Sequence, residues 1–365
     1  MKVLIVFNHP APYKVRIFNE LAKYVDLTVI FERDKAKDRP NEFYVVNKYD
    51  FNVIFFHVGY VGKEGTITNK TKAYIKKHHS EFDFIVMNGY SHYAEIKAIN
   101  YMHAHEIPFS LLINGGVIRE KESFFKRKLK SNLIKKAEFY MSPSKKSNDY
   151  LVFYGAKNEA IYNYPYSNFS INEINRENSI NSDEIRDKYG LPKDKKIFIN
   201  PAQFIDRKNN LLLLEMFLNR DEHLLLVGQG EEENKYRDFI EKHNMNNATI
   251  LPFMKKEELF TLMKACDAFI SLAKEDIFGH TVLEALANGL PVISSNKVIS
   301  SLEYIKNGYN GFIVDINNKE EIKIAIDNIF TIKKENTYES AKNNTYESCG
   351  KAIYEILENR SKKNG

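Results

Sequence analysis

Two adjacent acids close to a glycine make residues 271–295 the stretch of this sequence best suited to chemistry. Glu275 and Asp276 precede Gly279, and Glu284 follows Asp276 by eight positions. Gly279 lets a ligand approach the backbone closely, and the amides after it begin a predicted helix whose amino end suits a phosphate. Glu284, a little over one turn into that helix, can accept hydrogen bonds from a polyol such as ribose. The spacing favours a diphosphate site flanked by hydroxyl-binding carboxylates; the alternative is a capped helix with ordinary surface acids.

The elements that must position these residues follow from short β-forming runs that alternate with longer helical stretches. In the first half the predicted strands are Val3–Phe7, Leu27–Phe31, Val53–Val58, Phe82–Met87, Phe109–Ile113 and Phe139–Ser142. In the second half they are Ile197–Asn200, Leu224–Val227, Thr249–Leu251, Ala268–Ser271, Val292–Ser294 and Phe312–Val314. This alternation predicts parallel sheets that are covered by helices on both faces.

A polar segment, residues 164–184, interrupts the alternation and is interpreted as an interdomain connection with a surface excursion. The sequence therefore predicts an α/β protein of two doubly wound, Rossmann-like domains, 1–168 and 169–344. The last helix, at about 345–365, is expected to pack back on the first domain. Since ligands of such sheets bind beyond the carboxyl ends of the strands, we expect the two domains to face each other across a cleft.

Composition excludes several classes of protein. The 365 residues are 43% apolar and 28% charged, as in a globular chain, and no apolar run approaches the roughly 18 to 20 residues of a membrane-spanning helix. Two cysteines, Cys266 and Cys349, are too few for a disulfide framework and argue against a cysteine metal site. The opening MKVLIVFNHPAP fits a first strand better than a signal peptide, so we expect a cytoplasmic protein.

Basic charge is concentrated in the first half of the chain. Residues 1–168 carry 26 basic against 17 acidic residues, whereas residues 169–365 carry 27 against 31. The densest part, residues 119–136, has eight basic and two acidic residues, with an apolar stripe of Phe125, Leu129 and Leu133 at helical spacing. Such a helix can lie on an anionic membrane surface, or the stripe can face the core of its own domain. Nucleic acid is disfavoured because no recognition motif accompanies the patch.

The run E-D-x-F-G followed by E-A-x-A-x-G-x-P-V resembles the signature of the retaining glycosyltransferases of family four, which have the GT-B fold. The resemblance implies that the first acid of the signature binds hydroxyl groups of the transferred sugar, and that Glu284 binds the ribose of a nucleotide. A glutamate is usual at the first position, whereas Asp276 stands here with Glu275 before it, so the acid that contacts the sugar stays open. The donor-binding residues implied by this run are Phe278, Gly279, His280, Thr281 and Glu284.

Other parts of the second half resemble the same family. Residues 188–209 resemble its entry into the second domain, where a Gly-Arg-Leu triplet is replaced here by Ala-Gln-Phe. Because Gln203 cannot clamp a diphosphate as an arginine does, Arg207 and Lys208 are expected to carry more of the charge, unless they belong to a solvated loop. Residues 248–273 resemble the segment that leads to the paired acids, which implies that Phe253 and Met254 lie near the nucleotide base.

Residues 224–233 contain a Gly-x-Gly turn without the third glycine of a dinucleotide fingerprint, so a nicotinamide enzyme is disfavoured. In the first half, residues 111–120 take the place where many relatives have a histidine that faces the donor sugar. Here the sequence has Asn114, Gly115 and Gly116, which can hydrogen-bond a sugar or an oxyanion but cannot act as a base. The alternative for this triplet is an ordinary turn from strand to helix.

The resemblance implies a retaining transfer of a sugar from a nucleoside-diphosphate sugar to a hydroxyl of a glycan or lipid-linked acceptor, in cell-surface polysaccharide biosynthesis. Fixed cations and helix amides would replace a metal ion, and the chain has no Asp-x-Asp triplet typical of metal-dependent transferases. No cofactor is therefore expected. The alternatives are an inverting GT-B transferase, an epimerase, and a silent sugar-nucleotide-binding protein. The residues expected to take part in catalysis are Asp276, Glu275, Lys208, Arg207 and Asn114.

Overall fold

The two parallel sheets expected from the sequence are both present in the structure. It is a computed structural model that describes residues 1–35, 44, 48–57, 64–119, 121–174 and 181–364, without the side chains of 64–68, 363 and 364. Val58 at the end of the third predicted strand, Glu120 in the basic segment and residues 175–180 of the polar connection lie outside the described residues. The chain divides into two units, Met1–Asn168 with Thr345–Gly365, and Phe169–Asn344.

The first unit contains a parallel sheet in which seven strands are described. The strand order is β3-β2-β1-β4-β5-β6-β7, and every neighbouring pair is parallel. The strands are β1 (Lys2–Phe7), β2 (Asp26–Phe31), β3 (Asn52–Phe55), β4 (Phe84–Met87), β5 (Ser110–Leu112), β6 (Phe139–Ser142) and β7 (Ile161–Asn163). The sequence analysis missed β7, a three-residue edge strand.

The second unit contains a parallel sheet in which six strands are described, in the order β10-β9-β8-β11-β12-β13. Its strands are β8 (Ile197–Pro201), β9 (His223–Val227), β10 (Ala248–Leu251), β11 (Ala268–Ser271), β12 (Val292–Ser295) and β13 (Gly311–Val314). Each begins and ends within one residue of its predicted range.

Helices connect the strands in both units, as parallel pairing requires. Those that precede the second unit are α1 (Pro12–Ala22), α2 (Glu64–His78), α3 (Tyr93–Ala104), α4 (Phe124–Ile134) and α5 (Lys145–Phe153). The second unit has α6 (Ser182–Lys188), α7 (Asn210–Met216), α8 (Glu233–Lys242), α9 (Lys256–Lys264), α10 (His280–Ala287), α11 (Ile299–Tyr304), α12 (Lys319–Asn328) and α13 (Lys334–Ala341). The last helix, α14 (Tyr346–Asn364), belongs to the first unit.

The central strands are buried on both faces. In β1, residues 3–6 are fully buried, and in β8, residues 197–199 are as well. A strand covered by helices on both sides needs apolar residues at consecutive positions, which explains why these segments read as continuous apolar runs. In each sheet the strand order reverses next to the first strand, between β1 and β4 and between β8 and β11. Within each pair, the chain leaves one strand towards one side of the sheet and leaves the other strand towards the other side. The crevice between the two strands of such a pair is where ligands of these sheets bind.

The last helix packs closely against α1 within the first unit. A Cβ added to Gly350 would lie 2.6 Å from the Cβ of Glu20 and 2.8 Å from the amide nitrogen of Leu21, so the two backbones approach each other where the glycine stands. The rings of Tyr24 and Tyr354 stack with centroids 5.0 Å apart. The helix is therefore part of the first unit, although more than 170 residues separate it from that unit's last strand.

The polar connection is not all surface, contrary to the sequence interpretation. Tyr164 and Tyr166 are buried, and the Tyr164 hydroxyl donates a hydrogen bond of 2.7 Å to the carbonyl oxygen of Ile113. The Nζ of Lys14, itself buried, lies 4.6 Å from the centroid of the Tyr166 ring. The aromatic side chains at the start of this segment therefore belong to the core of the first unit. The high Asn and Ser content of the segment gives no indication of this burial.

Candidate functional site

An ion pair lies at the point where the second sheet reverses its strand order. Lys208 ends the short 3-10 turn Asp206–Lys208 after β8, and Asp276 belongs to the loop after β11. The Lys208 Nζ donates a hydrogen bond to the Asp276 Oδ2, and the two side chains are only 13% and 15% exposed. Because both charges are largely removed from water, their attraction is stronger than that of a surface pair.

A second cation faces the same carboxylate. The Nη1 of Arg207 lies 3.8 Å from the Asp276 Oδ1 and donates a hydrogen bond of 3.2 Å to the carbonyl oxygen of Glu275. The Arg207 side chain is 41% exposed, so part of its guanidinium still reaches solvent. Two cations and one carboxylate leave an excess of one positive charge among these three side chains. Arg207 and Lys208 are therefore the cations that an anion could contact at this edge of the sheet.

The two loops are held together by backbone bonds as well. The Lys274 amide donates a hydrogen bond of 2.8 Å to the carbonyl oxygen of Arg207. The Asn209 side-chain amide donates one of 3.0 Å to the carbonyl oxygen of Leu272. Asn209 has a φ of 59°, in the left-handed region that asparagine tolerates better than most residues. The cations are therefore placed by a fixed loop conformation and not only by their attraction to Asp276.

The loop after β12 supports the glycine that precedes α10. Gly279 has a φ of 86°, and a Cβ added to it would lie 2.6 Å from the Cγ1 of Val298. The Ser300 hydroxyl donates a hydrogen bond of 2.7 Å to the Gly279 carbonyl oxygen, and the Ser300 amide donates one of 2.8 Å to that of Phe278. Asp276 and Val298 form an isolated parallel bridge. A larger residue at this position would have to displace the Val298 side chain. The close approach of a ligand to Gly279, which the sequence predicts, stays a prediction.

Helix α10 begins directly after this glycine with His280 and Thr281, both half-buried. The amides of a first helical turn have no acceptor inside their own helix, so they are available to an anion. The rings of Phe278 and His280 lie 5.1 Å apart between centroids, and Phe278 is buried. Glu284 is buried on the same helix, at 7% exposure. The structure thus brings the residues of the E-D-x-F-G run into one loop and helix next to Lys208.

The remaining predicted residues of the second unit lie along the same edge of the sheet. Gln203 follows β8 and is exposed. Phe253, 48% exposed, and Met254, buried, follow β10. Because β9 lies between β8 and β10, the ends of these two strands are separated by two strand spacings, roughly 10 Å. These three side chains therefore flank the ion pair on one side and are not part of its cluster.

The Gly-x-Gly turn after β9 serves the packing of this edge. A Cβ on Gly228 would lie 1.9 Å from the carbonyl oxygen of Ala202, and one on Gly230 would lie 2.3 Å from that of Phe204. The Phe204 amide donates a hydrogen bond of 2.8 Å to the Gln229 carbonyl oxygen. Both glycines are needed because the loop after β8 passes directly against the turn.

In the first unit, the predicted Asn114, Gly115 and Gly116 follow β5 at the carboxyl edge of the first sheet. The Asn88 side-chain amide, which follows β4, donates a hydrogen bond of 2.7 Å to the Leu112 carbonyl oxygen and one of 3.3 Å to the Asn114 Oδ1. A Cβ on Gly116 would lie 2.5 Å from the ring of Tyr150. These contacts fix the turn, so the polar Asn114 side chain has a defined position within its unit.

Two buried acids near this edge of the first sheet, Glu32 and Glu95, were not among the residues predicted from the sequence. The pKa of Glu32 is raised to about 8, mainly by burial and also by the charge of Glu95, against a hydrogen bond from Thr71 and the charge of Arg33 that lower it. Burial also raises the pKa of Glu95 to about 7, against hydrogen bonds from the amides of Ser91 and His92 and the charge of Arg33. Glu95 is the third residue of α3, a position where a glutamate often caps the helix by accepting hydrogen bonds from the preceding amides. This position in the sequence could have identified Glu95 as a partner of the backbone.

Residues 181–348 match the family model described as Glycosyl transferases group 1. Through this segment the chain is similar to the group 1 glycosyltransferases. The matched range includes every predicted site residue except Asn114, Gly115 and Gly116.

Individual relatives agree with the family. An uncharacterized glycosyltransferase of Methanocaldococcus jannaschii is 26% identical over 123 residues, which are 34% of this chain and 35% of that protein. The lipopolysaccharide core biosynthesis glycosyltransferase LpsE of Rhizobium meliloti is 25% identical over 145 residues, 40% of this chain and 42% of that protein. The chain thus spans about a third to two fifths of the length of the curated relatives it matches.

The fold of the whole chain is that of the GT-B glycosyltransferases. The structure of Anabaena HepE in complex with UDP superposes with a TM-score of 0.78 at 19% identity and covers 98% of this chain and 100% of HepE. This chain shares with that fold two parallel sheets covered by helices, each with its own reversal of strand order. No described helix has the length and apolar character that a membrane crossing requires.

Replacement of Gly279 tests the tight loop of the site. Gly279→Ala should cost about 2 to 4 kcal/mol of unfolding free energy, because it adds both a left-handed alanine and a clash with Val298. Gly308→Ala is the matched control in the same unit, since Gly308 has a φ of 75° but open space around its Cβ position. It should cost only about 1 kcal/mol. Equal losses in chemical denaturation would contradict the close approach.

Replacement of Glu32 tests the buried acid. Because burial raises the pKa of folded Glu32 above its ordinary 4.5, the folded state holds the proton more tightly and loses stability as pH rises from 4.5 towards about 8. The loss of Tm between about pH 5.5 and about pH 7.5 should therefore be smaller by roughly 2 to 4 °C in Glu32→Gln than in the parent chain.

Thermal denaturation at the two pH values measures this difference. Glu159→Gln, an exposed glutamate of the same unit, is the control and should keep the dependence of the parent chain. A Glu32→Gln protein with the same dependence as the parent would show that this carboxyl is solvated.

Proposed function

We propose that this chain is a retaining glycosyltransferase that moves a sugar from a nucleoside-diphosphate sugar to a hydroxyl of a glycan or lipid-linked acceptor. The observation that carries the proposal is the cation pair, Arg207 and Lys208, held against Asp276 at the switch point of the family-matched unit. A nucleoside diphosphate is the chemistry that needs such a site, and the HepE structure holds UDP. The role in cell-surface polysaccharide biosynthesis draws support from LpsE.

We assign the donor to this edge as follows. The diphosphate binds Arg207, Lys208 and the first amides of α10, where charge and helix dipole act together. Glu284 accepts hydrogen bonds from the ribose, and the base lies towards Gln203, Phe253 and Met254. The remaining carboxylates, Glu275 and Asp276, bind hydroxyl groups of the sugar. Asn114, with Gly115 and Gly116, has a hydrogen-bonding role towards a sugar or an oxyanion.

In this proposal Lys208 binds both Asp276 and the diphosphate. An ammonium group has three donors, so Lys208 can keep its bond to Asp276 while it donates to a phosphate oxygen. Asp276 then holds the cation in place before the donor arrives. As the bond between the anomeric carbon and the phosphate oxygen breaks, negative charge grows on the diphosphate, and cations already in position stabilise it without reorganisation.

Retention follows from a front-face displacement. The acceptor oxygen forms its bond to the anomeric carbon on the face from which the diphosphate departs, and a departing phosphate oxygen takes the acceptor proton. The fixed cations supply the positive charge that the leaving group needs, and we therefore propose that transfer requires no metal ion. An EDTA-treated enzyme should keep its activity.

Removal of the cation or of the ribose carboxylate should disable the site. Lys208→Ala and Glu284→Ala should each lower turnover of the donor tens-fold or more, since a charge-assisted contact contributes about 1.5 to 3 kcal/mol. Lys319→Ala, which removes an exposed lysine of α12 paired with Glu215, is the control and should leave turnover unchanged. Near-normal rates in both site variants, with the circular dichroism of the parent chain, would refute the assignment.

The anomeric configuration of the product separates the proposed reaction from its alternatives. Proton NMR of the newly formed linkage should show the configuration of the donor. An inverted product would indicate an inverting transferase. A protein that binds the donor in calorimetry but neither transfers nor hydrolyses it would be a silent sugar-nucleotide-binding protein. The feature that favours this alternative is the exposed Gln203, at a position where the family has an arginine.

The acceptor is the least constrained part of the proposal. The basic segment 119–136 supports a lipid-linked acceptor and a peripheral position on the cytoplasmic face of a membrane, because anionic lipids attract clustered basic residues.

A further inference from the structure

Lys14 of α1 is a buried lysine that the proposed donor site does not use. It is 1% exposed, and its Nζ lies 4.6 Å from the centroid of the Tyr166 ring and 5.8 Å from that of the Phe7 ring. Within the described residues, no carboxylate acts on its ammonium group. Lysine is almost never fully buried without a paired acid, and ring faces recover only a small part of the hydration that a buried charge loses.

The Tyr166 ring that covers Lys14 belongs to a segment that joins the two units. The chain leaves the first unit after Asn168 and returns to it at Thr345. We call residues 164–168 and 345–349 the connecting segments; both lie within the first unit, next to these two points. Lys14 is therefore packed against the end of the segment that leads to the second unit.

The two connecting segments are bonded to each other beside Lys14. Cys349, in the first turn of α14, is buried and accepts a hydrogen bond from the backbone amide of Ser167. The Tyr346 hydroxyl donates a hydrogen bond to the carbonyl oxygen of Asn168. Because these bonds join the returning chain to the outgoing chain, the two segments should come away from α1 together.

The amine of Lys14 can change its charge near neutral pH. Burial lowers the pKa of its ammonium group to about 7, although the charge of the Cys349 thiol acts in the opposite direction. In a chain where Lys14 is exposed to water, the pKa has its ordinary value of 10.5. Between these two values the amine is uncharged when it is covered and charged when it is hydrated.

The other titratable groups of this pocket stay in one charge state over that range. Burial raises the pKa of the Cys349 thiol to about 12, against the charge of Lys14 and the hydrogen bond from the backbone. Burial also raises the pKa of Tyr166 well above its ordinary value, and the neighbouring Tyr13 and Tyr164 raise it further. On the far side of Tyr346 the next cation of α1 is an arginine at position 16, which keeps its charge throughout.

We propose that Lys14 controls how firmly the connecting segments are held on α1: they stay closed over an uncharged amine and open more often over a charged one. A protonated Lys14 has ring faces in place of water, so opening is favoured because it hydrates the charge. An uncharged amine loses less hydration and is compatible with the rings and the thiol around it. The inference goes beyond the proposed function, since it concerns the joints between the units and no step of sugar transfer.

The reaction of Cys349 with methyl methanethiosulfonate measures this opening, because a buried thiol reacts only after its segment opens. The protection factor is the rate for the urea-unfolded chain divided by the rate for the folded chain at the same pH. The closed state binds the Lys14 proton less tightly than the open state does, so the open fraction should fall as pH rises from about 7 to 10.5. The protection factor of Cys349 should rise about ten-fold or more between about pH 7.5 and about pH 9.

Variants of Lys14 separate the charge from the packing. Lys14→Met has an apolar side chain of similar length, so its Cys349 should be about ten-fold or more better protected than that of the parent chain at about pH 7.5, with little dependence on pH. Lys97→Met is the matched control, because the Lys97 Nζ lies 5.2 Å from the centroid of the Tyr93 ring but the lysine is exposed. This control should keep the pH dependence of the parent chain.

The second buried thiol distinguishes local opening from unfolding of the whole chain. Cys266 lies in the second unit, and its protection factor, measured by mass spectrometry of the same samples, should be equal in the parent chain and in Lys14→Met. Lys14→Gln, which has no charge at any pH, should also remove the pH dependence at Cys349, so the result does not depend on how well methionine packs.

Two results would overturn the proposal. One is a protection factor of Cys349 that has the same pH dependence in the parent chain, Lys14→Met and Lys14→Gln. The other is an equal change at Cys266 and Cys349, which would show that Lys14 affects the unfolding of the whole chain and not the connecting segments.

Discussion

The reversal of strand order between β8 and β11 is the constraint on which the candidate site depends. The chain leaves β8 towards β9 and leaves β11 towards β12, so no connection crosses the edge between these two neighbouring strands. Without contacts between the loops that follow β8 and β11, that edge would be an open crevice. The ion pair of Lys208 and Asp276 joins the two loops across it, and the Lys274 and Asn209 hydrogen bonds make the joint rigid. The cations are therefore preorganised for a ligand before any ligand binds.

The burial of this pair has an energetic consequence. The Lys208 and Asp276 side chains are 13% and 15% exposed, so both charges have lost much of their hydration. Their mutual attraction and hydrogen bonds offset that cost. In the proposed function, a diphosphate would therefore meet a Lys208 cation that is already largely desolvated, which would strengthen the contact. The same arrangement makes the site sensitive to change on either side, because truncation of Lys208 leaves Asp276 buried without its main partner.

Local patterns in the sequence predicted the parts of the fold and site that depend on neighbouring residues. The strands were predicted because both faces of a parallel sheet are buried, and the eight-residue spacing of Asp276 and Glu284 lies within one loop and helix. The pairing of Lys208 with Asp276 spans 68 positions and is fixed by the sheet order, which the spacing of residues alone does not give. The burial of Glu32 could not be predicted from its position after a strand. It comes from contacts with Thr71 of α2 and Glu95 of α3, which are distant in sequence.

The two units use positive charge in opposite ways. In the second unit the net charge is negative, yet two cations are concentrated at one sheet edge because an aspartate holds them there. In the first unit the basic excess is large, and its densest part includes α4, where Lys130 pairs with Glu122 and the lysine and arginine side chains at positions 126–128 are exposed beside Phe124 and Phe125. Asp276 holds Lys208 in a defined position, whereas the exposed cations of α4 are spread along a helix surface. The total charge of the chain reveals neither role; the partners of each lysine and arginine decide it.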